Sequence, residues 1–202
     1  MLQGIQNACV IVLAAGSSSR LGSPKQLLAV GGQNLVQHAV SVALSSRIGP
    51  VLVVTGANRK VVEAALEDMD VQMAYNPDWQ EGMGASIRWG TRVALGLYPE
   101  TEGLLFMVCD QPHIQAAVLR TLLDSQRESG SPIVTSSYDG VRGTPALFHA
   151  CLFEELTTLQ GDSGARPLLQ KYAADITAAP FALGRTDIDT PADYAQYLQT
   201  LK

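Results

Sequence analysis

Cysteine is scarce in this 202-residue chain and badly placed for cross-links: Cys9, Cys109 and Cys151 are odd in number, lie far apart and form no C-x-x-C pair. Neither a disulfide framework nor a structural zinc site is supported, and a reducing compartment is expected. No stretch approaches the roughly 20 consecutive apolar residues needed to cross a bilayer. The opening residues, MLQGIQNACVIVLAAG, carry no positive charge ahead of their apolar run, unlike a secretory leader. These absences predict a cytoplasmic protein without a membrane partner. Charge is also sparse: Asp, Glu, Lys and Arg make up 16%, the net charge is −5 and the pI is near 5.1. Binding a nucleic-acid backbone needs an extended face of clustered Lys and Arg, so no nucleic-acid partner is expected. His38, His113 and His149 have no metal-ligand spacing, although His113 follows Asp110 closely enough to lie near a site there. No Ser-His-Asp or Cys-His set can be assembled, and Cys109 falls in an apolar run where a thiol is inert. Covalent catalysis is therefore not expected.

What the chain does have is apolar mass, 47% of residues, enough for a compact core. Repeats, low-complexity tracts and Pro/Ser-rich linkers are missing, so one domain over 1–202 is expected. Strand-like runs recur at 9–13, 51–55, 71–75, 104–109 and 132–136, and helical patterns at 34–46, 58–69, 85–96 and 116–128 fall between them. Alternating β/α order predicts a mostly parallel sheet covered by helices on both faces. After about residue 136 the pattern loosens into a turn-rich stretch with Asp139, Gly140, Gly143 and Pro145, which suggests a nucleotide-binding part over 1–136 and an acceptor-side part with a C-terminal helix over 137–202. In such sheets a ligand sits outside the carboxyl ends of the strands, so the residues that end each run matter most.

The first run leads into VIVLAAGSSSRLGSPKQLL. Leu13 ends the strand; Ala14, Ala15 and Gly16 remove side-chain bulk and let the backbone approach an anionic ligand, with hydroxyl donors following at Ser17 and Ser18. Arg20 brings a planar fork and Lys25 a compact mobile charge, both suited to phosphate. The loop matches neither G-x-x-x-x-G-K-[ST] nor G-x-G-x-x-G, since it supplies Gly16 and Gly22 only. An ordinary strand-to-helix connection has a similar composition, but the two cations point to a phosphate cradle.

Other strand ends carry matching chemistry. GLLFMVCD ends in Asp110, a candidate ligand for a hard cation shared with substrate phosphates; the same carboxylate would also suit capping of a helix starting near Ile114. In TDIDTPADY, Asp187 and Asp189 project to one face of an extended segment, with Asp189 favoured as the ligand, while Thr190, Pro191 and Asp193 read as a helix start. NPDWQEGMGASIRWG places Gly82 and Gly84 ahead of a helix whose first turn holds Ser86. Gly82 suits close approach to a ribose or base and Ser86 donation to a phosphate or base edge; a glycine-rich helix entry with Ser86 facing solvent is the structural alternative. Trp79 suits an apolar lid or simple packing. In GTPALF (143–148) and GDSGAR (161–166), Gly161 gives a turn and Arg166 a second anion fork; alternatively Asp162 caps a helix and pairs with Arg166.

Taken together, LAAGSSSRLGSPKQLL, the strand-end Asp110, the N-P-x-x-x-x-G-x-x-x-S pattern, GTPALF, GDSGAR and TDIDTPADY resemble the MobA-like nucleotidyltransferases, and within them the molybdenum cofactor cytidylyltransferase (MocA-type) branch. The resemblance implies a three-layer α/β/α Rossmann-like (GT-A-like) fold. It also implies a Mg2+-dependent transfer of CMP from CTP to the phosphate of molybdenum-bearing molybdopterin, releasing pyrophosphate. By the same token Leu13, Ala14, Ala15, Gly16, Ser17, Ser18, Arg20, Lys25, Gly82 and Ser86 bind nucleotide, and Arg20, Lys25 and Asp110 act in catalysis. Asp110 and Asp189 hold the metal, and Gly143, Pro145, Gly161, Asp162 and Arg166 meet the acceptor. A molybdenum hydroxylase of the xanthine dehydrogenase type is the implied partner enzyme. Leu21 stands where the family usually has Met, and Ala29-Val30 replaces a commonly proline-containing segment, which leaves acceptor identity open. Cytidylyl transfer to a sugar or polyol phosphate, and a cofactor carrier without turnover, are the competing readings.

Overall fold

The structure, a computed structural model, describes residues 2–200. In chain order it contains β1 (Ala8–Ala14), a ribbon of β2 (Ala29–Val30) and β3 (Gln33–Asn34), α1 (Leu35–Ser46), β4 (Val51–Thr55), α2 (Arg59–Ala65), β5 (Gln72–Tyr75), α3 (Met83–Leu97), β6 (Gly103–Val108) and α4 (Ala116–Ser129). There follow β7 (Ile133–Tyr138), β8 (Val141–His149), α5 (Phe153–Leu156), α6 (Arg166–Lys171), β9 (Ile176–Pro180) and α7 (Pro191–Gln199). The main sheet has the order β5-β4-β1-β6-β8-β7-β9. All its neighbours pair in parallel except at β8, which runs against both β6 and β7. This is the expected α/β, mostly parallel architecture.

β1 is buried along its whole length, as a strand covered on both faces must be. Val10, Val12 and Ala14 pack in one layer with Val36 and Val40 of α1 and Leu119 and Leu122 of α4. Cys9, Ile11 and Leu13 pack in the other with Ile87 and Ala94 of α3, Leu156 of α5 and Leu168 of α6. The chain steps from β1 outward to β4 and β5, then crosses back to lay β6 on the other side of β1. Between the carboxyl ends of β1 and β6 the order reverses, and that crevice is where such sheets hold ligands.

Local chemistry accounts for most element limits. α1 starts at a capping box: Asn34 Oδ1 accepts from Gln37 N–H at 2.9 Å and Gln37 Oε1 from Asn34 N–H at 3.1 Å. The helix expected over 58–69 stops at Ala65, where bonding shifts to three-residue turns (Leu66 N–H to Glu63 O, Met69 N–H to Leu66 O, 3.1 and 3.0 Å). Glu67, Asp68 and Asp70 follow, acids that the negative end of a helix disfavours. α3 begins two residues before the expected 85, on Gly82 at φ 106°, so Gly84 lies inside its first turn. The turn-rich stretch after 136 is the largest departure. Asp139 and Gly140, both at positive φ, turn a hairpin whose return strand β8 inserts into the sheet, and the register slips beside Thr135 and Ser136 opposite the cis Thr144–Pro145 bond. His149 ends β8 and is not a loop residue. Among the described residues no helix is long and apolar enough to cross a membrane.

Gly90 fixes how closely α3 approaches the sheet, since a Cβ there would stand 2.9 Å from Val54 Cγ2 and 3.1 Å from Ile11 Cγ2. Gly90→Val is expected to destabilise the fold by about 1–3 kcal/mol through overpacking. Calorimetry should show a Tm lower by several degrees; an unchanged Tm would contradict this contact.

Candidate active site

The loop after β1 is held in shape by a buried glutamine. Gln26, fully shielded from solvent, donates from Nε2 to Ala14 O at 3.2 Å and Gly16 O at 2.8 Å. Its Oε1 accepts from Ser18 Oγ at 3.2 Å, and Asn58 Nδ2 adds a bond to Gly16 O at 3.2 Å. Ala57 N–H donates to Ala15 O at 3.1 Å. Three successive carbonyls are thus tied back, and peptide planarity turns the Ser17 N–H away from Gln26. Ser18 sits at φ 57° and accepts from Lys25 N–H at 2.9 Å, which folds residues 18–25 into a compact turn.

That turn delivers Lys25 to the strand ends. Its ammonium is shared between Asp110 Oδ2 and, at 2.8 Å, Asp189 Oδ1. Arg20 Nη2 reaches Asp189 Oδ2 at 2.9 Å. The distant segment is fixed by a backbone bond from Ile188 N–H to Asp110 O, 2.9 Å, with Ile188 fully buried. Thr190 and Asp193 form a complete capping box on α7, so TDIDTPADY has its structural role and still presents Asp189 to the cluster. Asp110 does not cap a helix: α4 starts at Ala116 with Gln115 before it.

Side-chain exposures of 15% for Lys25 and 16% for Asp110 make this a shielded ion pair. Burial favours a neutral amine, but the Asp110 charge and the bonds to both carboxylates outweigh it and hold Lys25 above its ordinary range. Desolvation likewise opposes ionisation of Asp189, and the Lys25 and Arg20 cations overcome it, keeping that carboxyl below its usual value. Asp187 behaves oppositely: desolvation, then the charges of Asp110 and Asp189, push it up to about 7.

Asp110 Oδ1 is buried and without a hydrogen-bond partner among the described residues. An orphaned carboxylate oxygen beside a second carboxylate, both already gathered around one cationic nitrogen, suits a hard divalent cation. No three His, Cys, Asp or Glu among the described residues converge as a protein-only cage. A cation held by Asp110 and Asp189 would complete its shell with substrate oxygens or water.

Above this cluster opens a cleft of about 380 Å³ lined by Leu13, Ala14, Ala15, Gly16, Ser17, Lys25, Gln26, Trp79, Gln80, Gly82, Met83, Ser86, Val108, Cys109, Asp110 and Asp162. Ser86 does not face solvent: it is buried and its Oγ accepts from Asn76 Nδ2 at 3.2 Å. Asp162 does not cap α6, whose N-cap is Ala165 without a side-chain bond, and among the described residues it forms no ion pair with the exposed Arg166. Ser18, Arg20 and Asp189 stand outside the cleft lining but join it through Gln26 and Lys25. Gly161 lies behind the cleft wall, its carbonyl accepting from Gly84 N–H at 2.8 Å. Gly143 and Pro145 are set back in β8, where Gln111 Nε2 bonds Thr144 O at 3.3 Å and Gly184 O at 2.8 Å. His113 stacks edge-on against Tyr197, 5.5 Å between centroids.

Sequence reading gave no role to Gln26, Asn58, Gln111 or Asn76, the last of which opens the N-P-x-x-x-x-G-x-x-x-S pattern, although all four are polar residues that brace the site. The available signal was a lone amide beside a motif residue: Gln26 follows Lys25, and Gln111 follows Asp110.

Burial pushes the Cys9 thiol up to about 12, and burial with the neighbouring Asp110 charge does the same for Cys109; Cys151 is exposed. A thiol reagent at pH 8 is therefore expected to modify Cys151 alone in the native protein and all three after denaturation. Rapid native labelling of Cys109 would show a cleft floor more open than this one.

The profile of the MobA-like NTP transferase domain matches residues 10–176. The chain is 31% identical over 198 residues to the purine catabolism protein PucB of Bacillus subtilis, covering 91% of this chain and 92% of that one. It is 32% identical over 189 residues to nicotine blue oxidoreductase of Paenarthrobacter nicotinovorans, with 89% and 91% covered. Among solved structures it is similar to Rv0371c of Mycobacterium tuberculosis, at TM-score 0.83 and 27% identity over 96% of this chain and 98% of that one. A manganese complex of Rv0371c matches at TM-score 0.79 and 27% identity, covering 96% of this chain and 99% of that one. The chain belongs to the MobA-like NTP transferase family.

Proposed function

We propose that this MobA-like NTP transferase is a cytoplasmic, Mg2+-dependent cytidylyltransferase of the MocA type, moving CMP from CTP to the phosphate of a molybdopterin-type acceptor. The observation that carries the reading is the convergence of Asp110 and Asp189 on Lys25 at the foot of a cleft walled by residues 13–17 and the start of α3. A triphosphate needs cations at one end and small residues along its path, and both lie together there. The two-alanine LAAG loop resembles the CTP-using branch, and the purine-catabolism name of one relative fits an acceptor enzyme of the xanthine dehydrogenase type.

In this reading residues 13–18 cradle the nucleotide, with Gly82 and Ser86 on the opposite wall. Asp110 and Asp189 would hold magnesium, whose chemistry is to neutralise charge on the triphosphate. Arg20 and Lys25 then move from the two carboxylates onto phosphate oxygens, exchanging one set of anionic partners for another. An acceptor phosphate is already ionised at pH 7, so no general base is required. Its oxygen bonds to the α-phosphorus of CTP in line as the bond to the β-phosphate breaks, and pyrophosphate leaves with the electron pair. Lys25 and Arg20 stabilise charge as it develops on the leaving group. Of the residues that the resemblance gives to the acceptor, Gly143 and Pro145 lie beside Gln111, Gly161 and Arg166 lie on the segment that packs against α3 and leads into α6, and Asp162 lines the nucleotide cleft itself.

Pyrophosphate release measured across the four nucleoside triphosphates, with and without molybdopterin, tests the assignment. Release is expected with CTP and molybdopterin, falling by at least 10²-fold in Asp110→Ala. Preference for GTP would contradict the CTP assignment. Turnover with a sugar phosphate but not molybdopterin would move the acceptor to that class. Molybdenum delivery that survives in Asp110→Ala without pyrophosphate release would make the protein a carrier.

A further inference from the structure

Asp162 sits where its sequence motif alone would not put it. Residues 160–164 lie against the first turn of α3 at two glycines, and the contact leaves no room for side chains. A Cβ at Gly84 would stand 2.7 Å from the Gln160 carbonyl, and one at Gly82 would stand 2.8 Å from Asp162 Cα and 2.0 Å from Asp162 Oδ1. The Gly84 N–H to Gly161 O bond and the positive φ of Gly161, 71°, fix the loop in this position. The Asp162 carboxylate is thereby held on the rim of the cleft beside Gly82, Met83, Ser86 and Trp79. Among the described residues it has neither an ion-pair nor a hydrogen-bond partner.

Resting on the nucleotide reading above, the order of groups in a nucleoside triphosphate says which part meets it. Phosphates belong at the end where Lys25, Arg20, Asp110 and Asp189 gather, so ribose lies next along the cleft and the base at the α3 end. There Trp79 and Met83 offer flat and apolar surface, and of the two polar side chains without a partner, Gln80 is a neutral amide and Asp162 a carboxylate that accepts hydrogen bonds only. We propose that Asp162 is a base-reading residue, accepting a hydrogen bond from the exocyclic amino group and so selecting an amino base over its oxo counterpart, cytosine over uracil. Uracil would present a carbonyl oxygen to the carboxylate, two acceptors face to face. A site built to receive a donor rejects the analogue that lacks it.

Titration calorimetry with CTP, UTP and 2′-deoxy-CTP, in magnesium and without acceptor so that nothing turns over, tests this on the wild type, Asp162→Asn and Asp162→Ala. The wild type is expected to prefer CTP over UTP by about ten- to hundredfold, the worth of one charge-assisted hydrogen bond. In both variants that ratio should shrink to a few-fold, with the CTP to 2′-deoxy-CTP ratio unchanged and the Tm preserved, since Asp162 is exposed. A CTP to UTP ratio that stays the same in both variants, or a wild type that does not discriminate, overturns the proposal. So does a change confined to the 2′-deoxy-CTP ratio, which would place Asp162 on the ribose. Failure of the wild type to bind any of the three nucleotides would instead overturn the nucleotide reading itself.

Discussion

A lysine ammonium shared by two carboxylates holds the ends of β1 and β6 and the segment before α7 in one place. Lys25 is mostly shielded, and a buried ammonium without counter-charges would be strongly disfavoured. Asp110 and Asp189 in turn would repel each other without it. Each member therefore depends on the others, and the backbone bond from Ile188 N–H to Asp110 O makes the arrangement a property of the fold as well as of charge. In the proposed function the same cluster is also the working part: Asp110 and Asp189 would hold a divalent cation that neutralises charge on the triphosphate, and Lys25 would turn towards the phosphates it is to bind.

The sheet explains why those residues meet. Reversal of strand order between β1 and β6 opens the crevice, and the two strands supply its contrasting sides, a small-residue loop from one and a carboxylate from the other. α3 closes the far wall, at a distance set by Gly90 against the sheet and by glycines at 82 and 84 against residues 160–162. Neutral amides do the bracing: Gln26 and Asn58 hold the β1 loop, Asn76 holds Ser86, and Gln111 joins β8 to the turn before the last acidic segment.

The parallel half of the sheet was legible because β1, β4 and β6 are continuous apolar runs with amphipathic helices between them. β8 was not, since Gly143 and Pro145 read as turn residues, and their tolerance within a strand comes from a register slip that only the paired neighbour reveals. The candidate site was legible in its first-motif residues and at Asp110, where each local pattern carries its own chemistry. Gln26 signalled no more than its place beside Lys25, because a glutamine in a turn becomes a brace only through carbonyls brought to it by tertiary structure. Asp162 was legible as a polar motif residue but not as part of this cleft, a placement that depends on Gly82 and Gly84, far away in sequence, having no side chain.

The central question at this site is where the Lys25 ammonium lies when substrate binds. A crystal structure of the protein with CTP and Mn2+, with the metal located by anomalous scattering, measures this directly. The account predicts one manganese ion bound by oxygens of Asp110, Asp189 and the triphosphate, with Lys25 Nζ moved onto phosphate oxygens. Manganese bound elsewhere, with Lys25 still bridging the two carboxylates, would contradict it.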